Sequence, residues 1–409
     1  MTDLCYRSLG STTGVTMAEL KRRIGLGLLV FYGLGVMIGA GIYVLVGEVA
    51  AVAGVRAPLA FLFAGAVALP TALTYGELSA RIPESGGEVS YLRATRAGPL
   101  WWLLLGAAII AGGTVSAAAV LTGGSGYLAD ITGLDPTYGK IALGAFIILV
   151  AIVGVVESLW VAAVFTVIEI LGLALVAYAG FLAPPSADWV AAEMPAYSGI
   201  GLAGLLAFFA FIGFEDIVNM AEETVDPAKT LPRAILVALV GTTLIYALVS
   251  WAAVRAVPLA ELAGSKAPLA AVVSTSFAGM GPFLSAVAVV AALNGVLAQI
   301  VMAARVLMSL GRNWSPLRIF AAINPRFRTP MRASLLVGGI VVLAALSLPM
   351  ATLAETTSIL LLSIFCAMNA VLLVLKRRPA PKPVFEVSPF VPWAGLILSA
   401  ALVIAAQIL

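Results

Sequence analysis

Two kinds of residue in this sequence could do chemistry inside a strongly apolar chain. The first are carboxylates: Glu169 within Val167-Ile168-Glu169-Ile170-Leu171, and Glu215-Asp216 directly after Gly213-Phe214. Ionisable groups at membrane depth are rare, and their default reading is functional. Such a carboxyl group can carry a proton between two faces, hold a sodium ion, or hydrogen-bond a broken helix. The second kind is backbone. Gly33, Gly35, Gly39 and Gly41, with Ala40, crowd the stretch from Gly33 to Tyr43 in the middle of an apolar run. Each glycine costs roughly 1 kcal/mol relative to alanine in a helix interior, so this run should break halfway. Freed N–H and C=O groups find no partner in lipid and must face protein, water or a ligand. Amides opening the resumed half suit a carboxylate, and carbonyls closing the first half suit a cation. A zwitterion matches both. Gly35 and Gly39 also form a GxxxG pair, which serves close helix packing. A dinucleotide loop is excluded, because no strand precedes the glycines.

The elements that position these groups are membrane helices. The 409 residues are 62% hydrophobic and 11% charged, the composition of an all-α polytopic membrane protein. Apolar runs predict eleven spans, near 24–52, 57–80, 98–129, 139–156, 158–183, 199–222, 231–254, 281–311, 333–350, 354–375 and 390–408. Residues 257–280, with Pro258 and Pro268, read as a lid-like surface helix. Residues 1–23 read as a cytoplasmic tail with no cleavable signal peptide. With that tail inside, nineteen Lys and Arg fall on the inner side and four (Arg56, Lys140, Arg255, Lys266) on the outer. That asymmetry supports the eleven-span topology, a multi-pass cell-membrane protein with its C-terminus outside. The sequon at Asn313 then lies inside and is incidental. Cys5 and Cys366 make no disulfide framework, and the absence of histidine removes the commonest proton shuttle and metal ligand. No metal, cofactor or nucleic-acid partner is expected beyond a coupling ion.

The sixth span, like the first, is irregular: Phe208-Phe209-Ala210-Phe211-Ile212-Gly213-Phe214-Glu215. Glu222, Glu223, Asp226 and Lys229 at its end read as solvated charge. The two interrupted helices each lead a set of five, and the sets start from opposite faces. That pattern points to a five-plus-five inverted repeat, 24–183 and 199–375, with 390–409 as an additional helix.

Gly35 through Tyr43 resembles the first-helix signature of the amino acid–polyamine–organocation transporters. Phe208 through Glu215, Glu222-Glu223 and Asp226-Pro227 are similar to their sixth-helix signature. Pro83-Glu84-Ser85-Gly86-Gly87 with Tyr91, and Thr329-Pro330, follow the same pattern. The resemblance is to the cationic amino acid transporter branch and its bacterial proton-linked relatives. It implies secondary amino acid transport, with Ile38, Gly39, Ala40, Gly41 and Ile42 holding the substrate carboxylate and part of its amine. The backbone of Phe211, Ile212 and Phe214 would complete the amine site, and Phe209 would be an aromatic lid. Proton-linked relatives carry a lysine in helix 5, and Glu169 takes its place here. Family members usually have twelve or more spans, so this chain is shorter outside the repeat.

The sequence therefore favours a proton-coupled symporter of amino acids, with Glu169 as protonation site and Glu215 as its competitor. Sodium coupling is second to it. Helix 3, from Leu100 to Leu128, holds no carboxylate to neutralise a basic substrate side chain, although Glu215 or Asp216 could do so. Exchange without net proton movement, and a transport-inactive sensor or subunit, are the alternatives. An intramembrane enzyme ranks last, since no catalytic constellation is on display.

Overall fold

The structure is a computed structural model and describes residues 22–84, 87–153, 159–191, 198–379 and 382–408. The tail to residue 21, Ser85-Gly86 and Glu157 lie outside the described residues.

The first span is two helices, α1 (Leu26–Ala40) and α2 (Ile42–Ala53), separated by Gly41 alone. The chain turns at Gly54 (φ 58°), which a side chain would disfavour, and enters α3 (Ala57–Arg81). A short α4 (Gly87–Ala94) precedes α5 (Pro99–Thr132), α6 (Pro136–Val153) and α7 (Leu159–Leu182). After the single turn α8 (Ala187–Ala191) comes the sixth span. It begins as α9 (Ser198–Phe208), tightens to a 3-10 turn at Phe209–Phe211 and resumes as a 3-10 helix, Glu215–Glu223. Then follow α10 (Pro227–Ala256), two short helices α11 (Leu259–Gly264) and α12 (Pro268–Ser276), and α13 (Gly281–Asn313). The helices α14 (Met331–Ser347), α15 (Met350–Lys376) and α16 (Phe390–Ile408) complete the chain. Among the described residues nine helices are long and apolar enough to cross a membrane, one of them running α2 into α3. Leu26–Gly39 and Met331–Ser347 are shorter apolar helices. Together they cover the eleven expected runs.

Packing relates the two sets of five. Span 2 (α3) lies on span 7 (α10), span 3 (α5) on span 8 (α13), and span 4 (α6) on span 9 (α14). Along the first and sixth spans, Gly41 meets Ala210, Val36 and Met37 meet Gly213, and Gly33 meets Ile217. At the ends, Ile24 and Thr224 form an isolated parallel bridge, Ile24 N–H donating to the Glu223 carbonyl and Val225 N–H to the Ile24 carbonyl, so only the helical stretches set the direction. Numbers rise on one span as they fall on the other, so the two run antiparallel. Likewise Gly113 meets Gln299, Val120 meets Gly295 and Gly124 meets Ala292, so α5 and α13 are antiparallel. Spans 1 and 6, and spans 3 and 8, thus pair in reverse direction, the relation that repeats of inverted topology give.

One expectation is corrected. Residues 257–280 form two short helices, not one surface helix, because Pro268 starts a new helix after the extended Ser265. Their apolar residues Leu262, Leu269, Val272 and Val273 are fully buried, and Leu262 abuts Gly47 of α2.

Candidate functional site

The break in the first span is narrow. Gly41 N–H donates to the Ile38 carbonyl (3.3 Å), and the Gly41 carbonyl accepts from Val44 (3.2 Å) and Leu45 (3.0 Å). Ile42 and Tyr43 therefore head α2, where a helix has no acceptor of its own for its first amides. The sixth span opens wider. Ile212 turns to extended backbone (ψ 132°), Gly213 adopts φ 122°, and the α pattern does not return. Only glycine takes that φ without strain, which explains Gly213. The two breaks touch, because Gly41 lies against the Ala210 backbone with no room for a side chain.

The structure thus brings together most of the residues singled out from sequence. Ile38, Ile42, Phe209, Phe211, Ile212 and Phe214 are all buried at the two breaks, and Ala40 closes α1. Phe211 sets its edge on Tyr246 (5.3 Å between centroids), and Phe214 sits between Tyr75 (5.8 Å) and Phe365 (5.2 Å).

The two candidate carboxylates differ in surroundings. Glu169 on α7 is 2% exposed, and neither carboxylate oxygen has a hydrogen-bond partner among the described residues. Its Oε1 lies about 3.6 Å from where a Cβ on Gly39 would stand, and the Ala291 carbonyl of α13 about 3.2 Å from that point. Glycines on both elements let α7 this close: Gly35 and Gly39 of α1 meet Thr166 and Glu169, and Gly172 of α7 meets Tyr43 of α2. Gly35 and Gly39 are packing glycines, as the GxxxG spacing allows, while Gly41 makes the break. Glu215, by contrast, is engaged: its Oε2 accepts the Gly213 N–H at 2.9 Å and bridges the unwound stretch.

Three tyrosines join the site that sequence reasoning did not select. Tyr246 of α10 donates to the carbonyls of Met37 (2.8 Å) and Ala210 (3.0 Å). Tyr43 donates to the Glu169 backbone carbonyl (2.9 Å), and Tyr127 of α5 donates to the Tyr43 carbonyl (2.6 Å). The Tyr127 hydroxyl in turn accepts the Leu269 N–H (3.3 Å), tying α12 to the site. A tyrosine within an apolar helix needs a partner for its hydroxyl, and that was the available signal.

The model of the family described as amino acid permease matches residues 25–409, which include both breaks and Glu169. The chain belongs to the amino acid permease family. Within it, this permease is 33% identical to an uncharacterized transporter of Mycobacterium tuberculosis over 331 residues, 79% of this chain and 73% of that one. It is 30% identical to a branched-chain amino acid permease of Bacillus subtilis, covering 94% of this chain and 88% of that one. It is also 28% identical to a vacuolar cationic amino acid transporter of Arabidopsis thaliana, over 88% of this chain and 64% of that one. Membership makes this permease an amino acid transport protein of the membrane.

Proposed function

We propose that this permease is a proton-coupled symporter of neutral amino acids, working by alternating access around the two breaks. The observation that carries the proton assignment is Glu169. It is a buried carboxyl group with both oxygens unpartnered among the described residues, beside Gly39, two residues before the Gly41 break. A coupling group must be adjacent to the substrate site and free to exchange its proton as access alternates. The unpartnered carboxyl beside Gly39 supports Glu169 in that role, whereas Glu215 accepts the Gly213 amide and would serve as a positioning group. The substrate carboxylate would meet the amides heading α2, and its amine the carbonyls of the opened sixth span, Phe211 to Phe214, with Phe209 as lid.

The apolar, aromatic walls and the carboxylate-free α5 stretch from Leu100 to Leu128 favour an uncharged side chain. The relative named as a branched-chain amino acid permease agrees with that choice. The basic-residue asymmetry supports a cytoplasmic N-terminus, and we assign the protein to the cell membrane on that reading.

Uptake of a panel of labelled amino acids into proteoliposomes, with and without an inward proton gradient, tests the reading. Neutral amino acids should accumulate with the gradient, and Glu169→Gln should still bind and exchange substrate but ignore the gradient. Counterflow indifferent to pH in the wild type would indicate an exchanger. No flux with any amino acid would indicate a sensor or subunit. A gradient response undiminished in Glu169→Gln would remove Glu169 from the mechanism.

A further inference from the structure

A cleft between the end of α13 and the 3-10 turn that follows it takes no part in the transport site. The 3-10 turn Ser315–Ala321 folds back on the end of α13, and the two meet at Gly311. A Cβ on Gly311 would stand about 3.1 Å from the Ala321 nitrogen and nearer still to the Leu317 carbonyl, so the fold-back needs glycine there. The result is a concavity of about 440 Å³ lined by Gly311, Arg312, Trp314, Ser315, Arg318 and Ala321.

Both arginines are exposed, and among the described residues neither forms an ion pair with a carboxylate. Arg312 donates only weakly, to Met308 Sδ at 3.8 Å. The sequence withholds neutralising charge as well: residues 262–354 contain no Asp or Glu, yet Arg305, Arg312, Arg318, Arg326, Arg328 and Arg332 all fall there. Next to the cleft the aliphatic side chains of Ile319 (57% exposed) and Ile323 (47%) project outward. Trp314 in the wall has the amphipathic ring that settles at the headgroup level of a bilayer. The cleft therefore offers two guanidinium forks, a hydroxyl and an indole at the end of a membrane helix, with apolar groups at its rim.

We propose that this cleft binds the phosphate headgroup of an anionic phospholipid, while Ile319 and Ile323 reach the start of its acyl chains. Arginine pairs with phosphate through two parallel hydrogen bonds, which gives the cleft geometry as well as charge. Basic pockets at the ends of membrane helices suit such headgroups. The site lies apart from the two breaks and does not depend on which substrate or ion the permease couples.

The test uses the full-length protein in neutral detergent, titrated with phosphatidylglycerol, phosphatidylcholine or inorganic phosphate. Bound lipid is read by native mass spectrometry and melting by tryptophan fluorescence. Phosphatidylglycerol should bind at least roughly tenfold tighter than phosphatidylcholine, with each arginine contributing about fivefold. The double variant Arg312→Gln/Arg318→Gln should lose that preference. Arg326→Gln/Arg328→Gln, which removes equal charge from the same loop outside the cleft, should keep it. Equal loss in both double variants would mean diffuse charge and overturn the site. Protection by inorganic phosphate alone, matching that by the lipid, would mean a free-anion site and overturn the lipid assignment. Arg312→Lys/Arg318→Lys keeps charge without the fork and should bind phosphatidylglycerol several-fold more weakly than wild type; undiminished binding would also overturn the proposal.

Discussion

The hydroxyl of Tyr246 stands 2.8 Å from the carbonyl oxygen of Met37, on the first interrupted span, and it also reaches the Ala210 carbonyl of the second at 3.0 Å. A hydroxyl has one proton to donate, so the two carbonyls share it. One oxygen on α10 thus connects both places where the membrane helices lose their regular bonding. A bond that can pass from one carbonyl to the other lets the two half-helices shift without stranding either group.

Tyr246→Phe removes that donor and little else, because the ring keeps its edge contacts with Phe61 (5.7 Å) and Phe211 (5.3 Å). Hydrogen bonds in membrane interiors contribute about 1 kcal/mol, so the variant should fold and melt a few degrees lower. Transport should fall much further than stability does. Parallel melting curves and initial uptake rates would show the split; equal transport in variant and wild type would deny Tyr246 a part in the cycle.

Gly41 is the contact between the breaks. A Cβ there would overlap the Ala210 backbone, which cannot swing aside as a flexible side chain can. Gly41→Ala should therefore pry the spans apart and abolish uptake. The matched change Gly241→Ala meets only Leu34 Cδ2 at 3.6 Å, ordinary van der Waals contact, and should transport normally. Uptake by both variants at equal protein incorporation checks the pair.

How much of this was legible beforehand depends on the range of the forces involved. Apolar runs of the length of a bilayer mark spans directly, and the glycines at 33–41 and 213 announced the two breaks through their local helix cost. Which glycine breaks and which packs was not legible. Gly35, Gly39 and Gly41 look alike in sequence, and only their neighbours Thr166, Glu169 and Ala210 tell them apart. The polar partners were equally hidden. Asn369 joins Thr71 and Thr74 across α15 and α3 over almost three hundred residues, and no local pattern encodes that meeting. Residues 257–280 are buried by α2, α7 and α13, not by their own periodicity, so no local pattern encodes their two buried helices.

Glu77 anchors a second long-range meeting, at the end of α3. Its side chain is fully buried and accepts from Arg81 Nη2 (2.6 Å), Lys376 Nζ (2.7 Å) and the Val387 N–H (2.8 Å). This carboxylate ties α3 to the end of α15 and to the link leading into α16. Removing one partner of a buried ion pair strands the other charge, at a cost of roughly 3–5 kcal/mol. Glu77→Ala should lose that much stability. Lys376→Met should lose clearly less, since Arg81 still holds Glu77. Thermal melting of both in one detergent orders them, and the reverse order would show that Lys376 is the principal partner.

Glu88 on α4, outside the spans, gives a pH-dependent prediction. Burial raises its carboxyl above the ordinary value of 4.5, opposed by a backbone hydrogen bond and by the Tyr75 hydroxyl at 3.0 Å. An acid raised in the folded state holds its proton more tightly folded than unfolded. Its contribution therefore favours the fold fully below the unfolded value, is lost as pH rises through that value and then the folded one, and is absent above both. Glu88→Gln keeps an oxygen to accept from Tyr75 but cannot ionise. As pH rises above 4.5 the wild type should progressively lose melting temperature relative to Glu88→Gln, because only the wild type must ionise a buried carboxyl group across that window. Melting curves of the two proteins across that window decide it: a constant difference between them would mean that Glu88 titrates no differently in the folded chain.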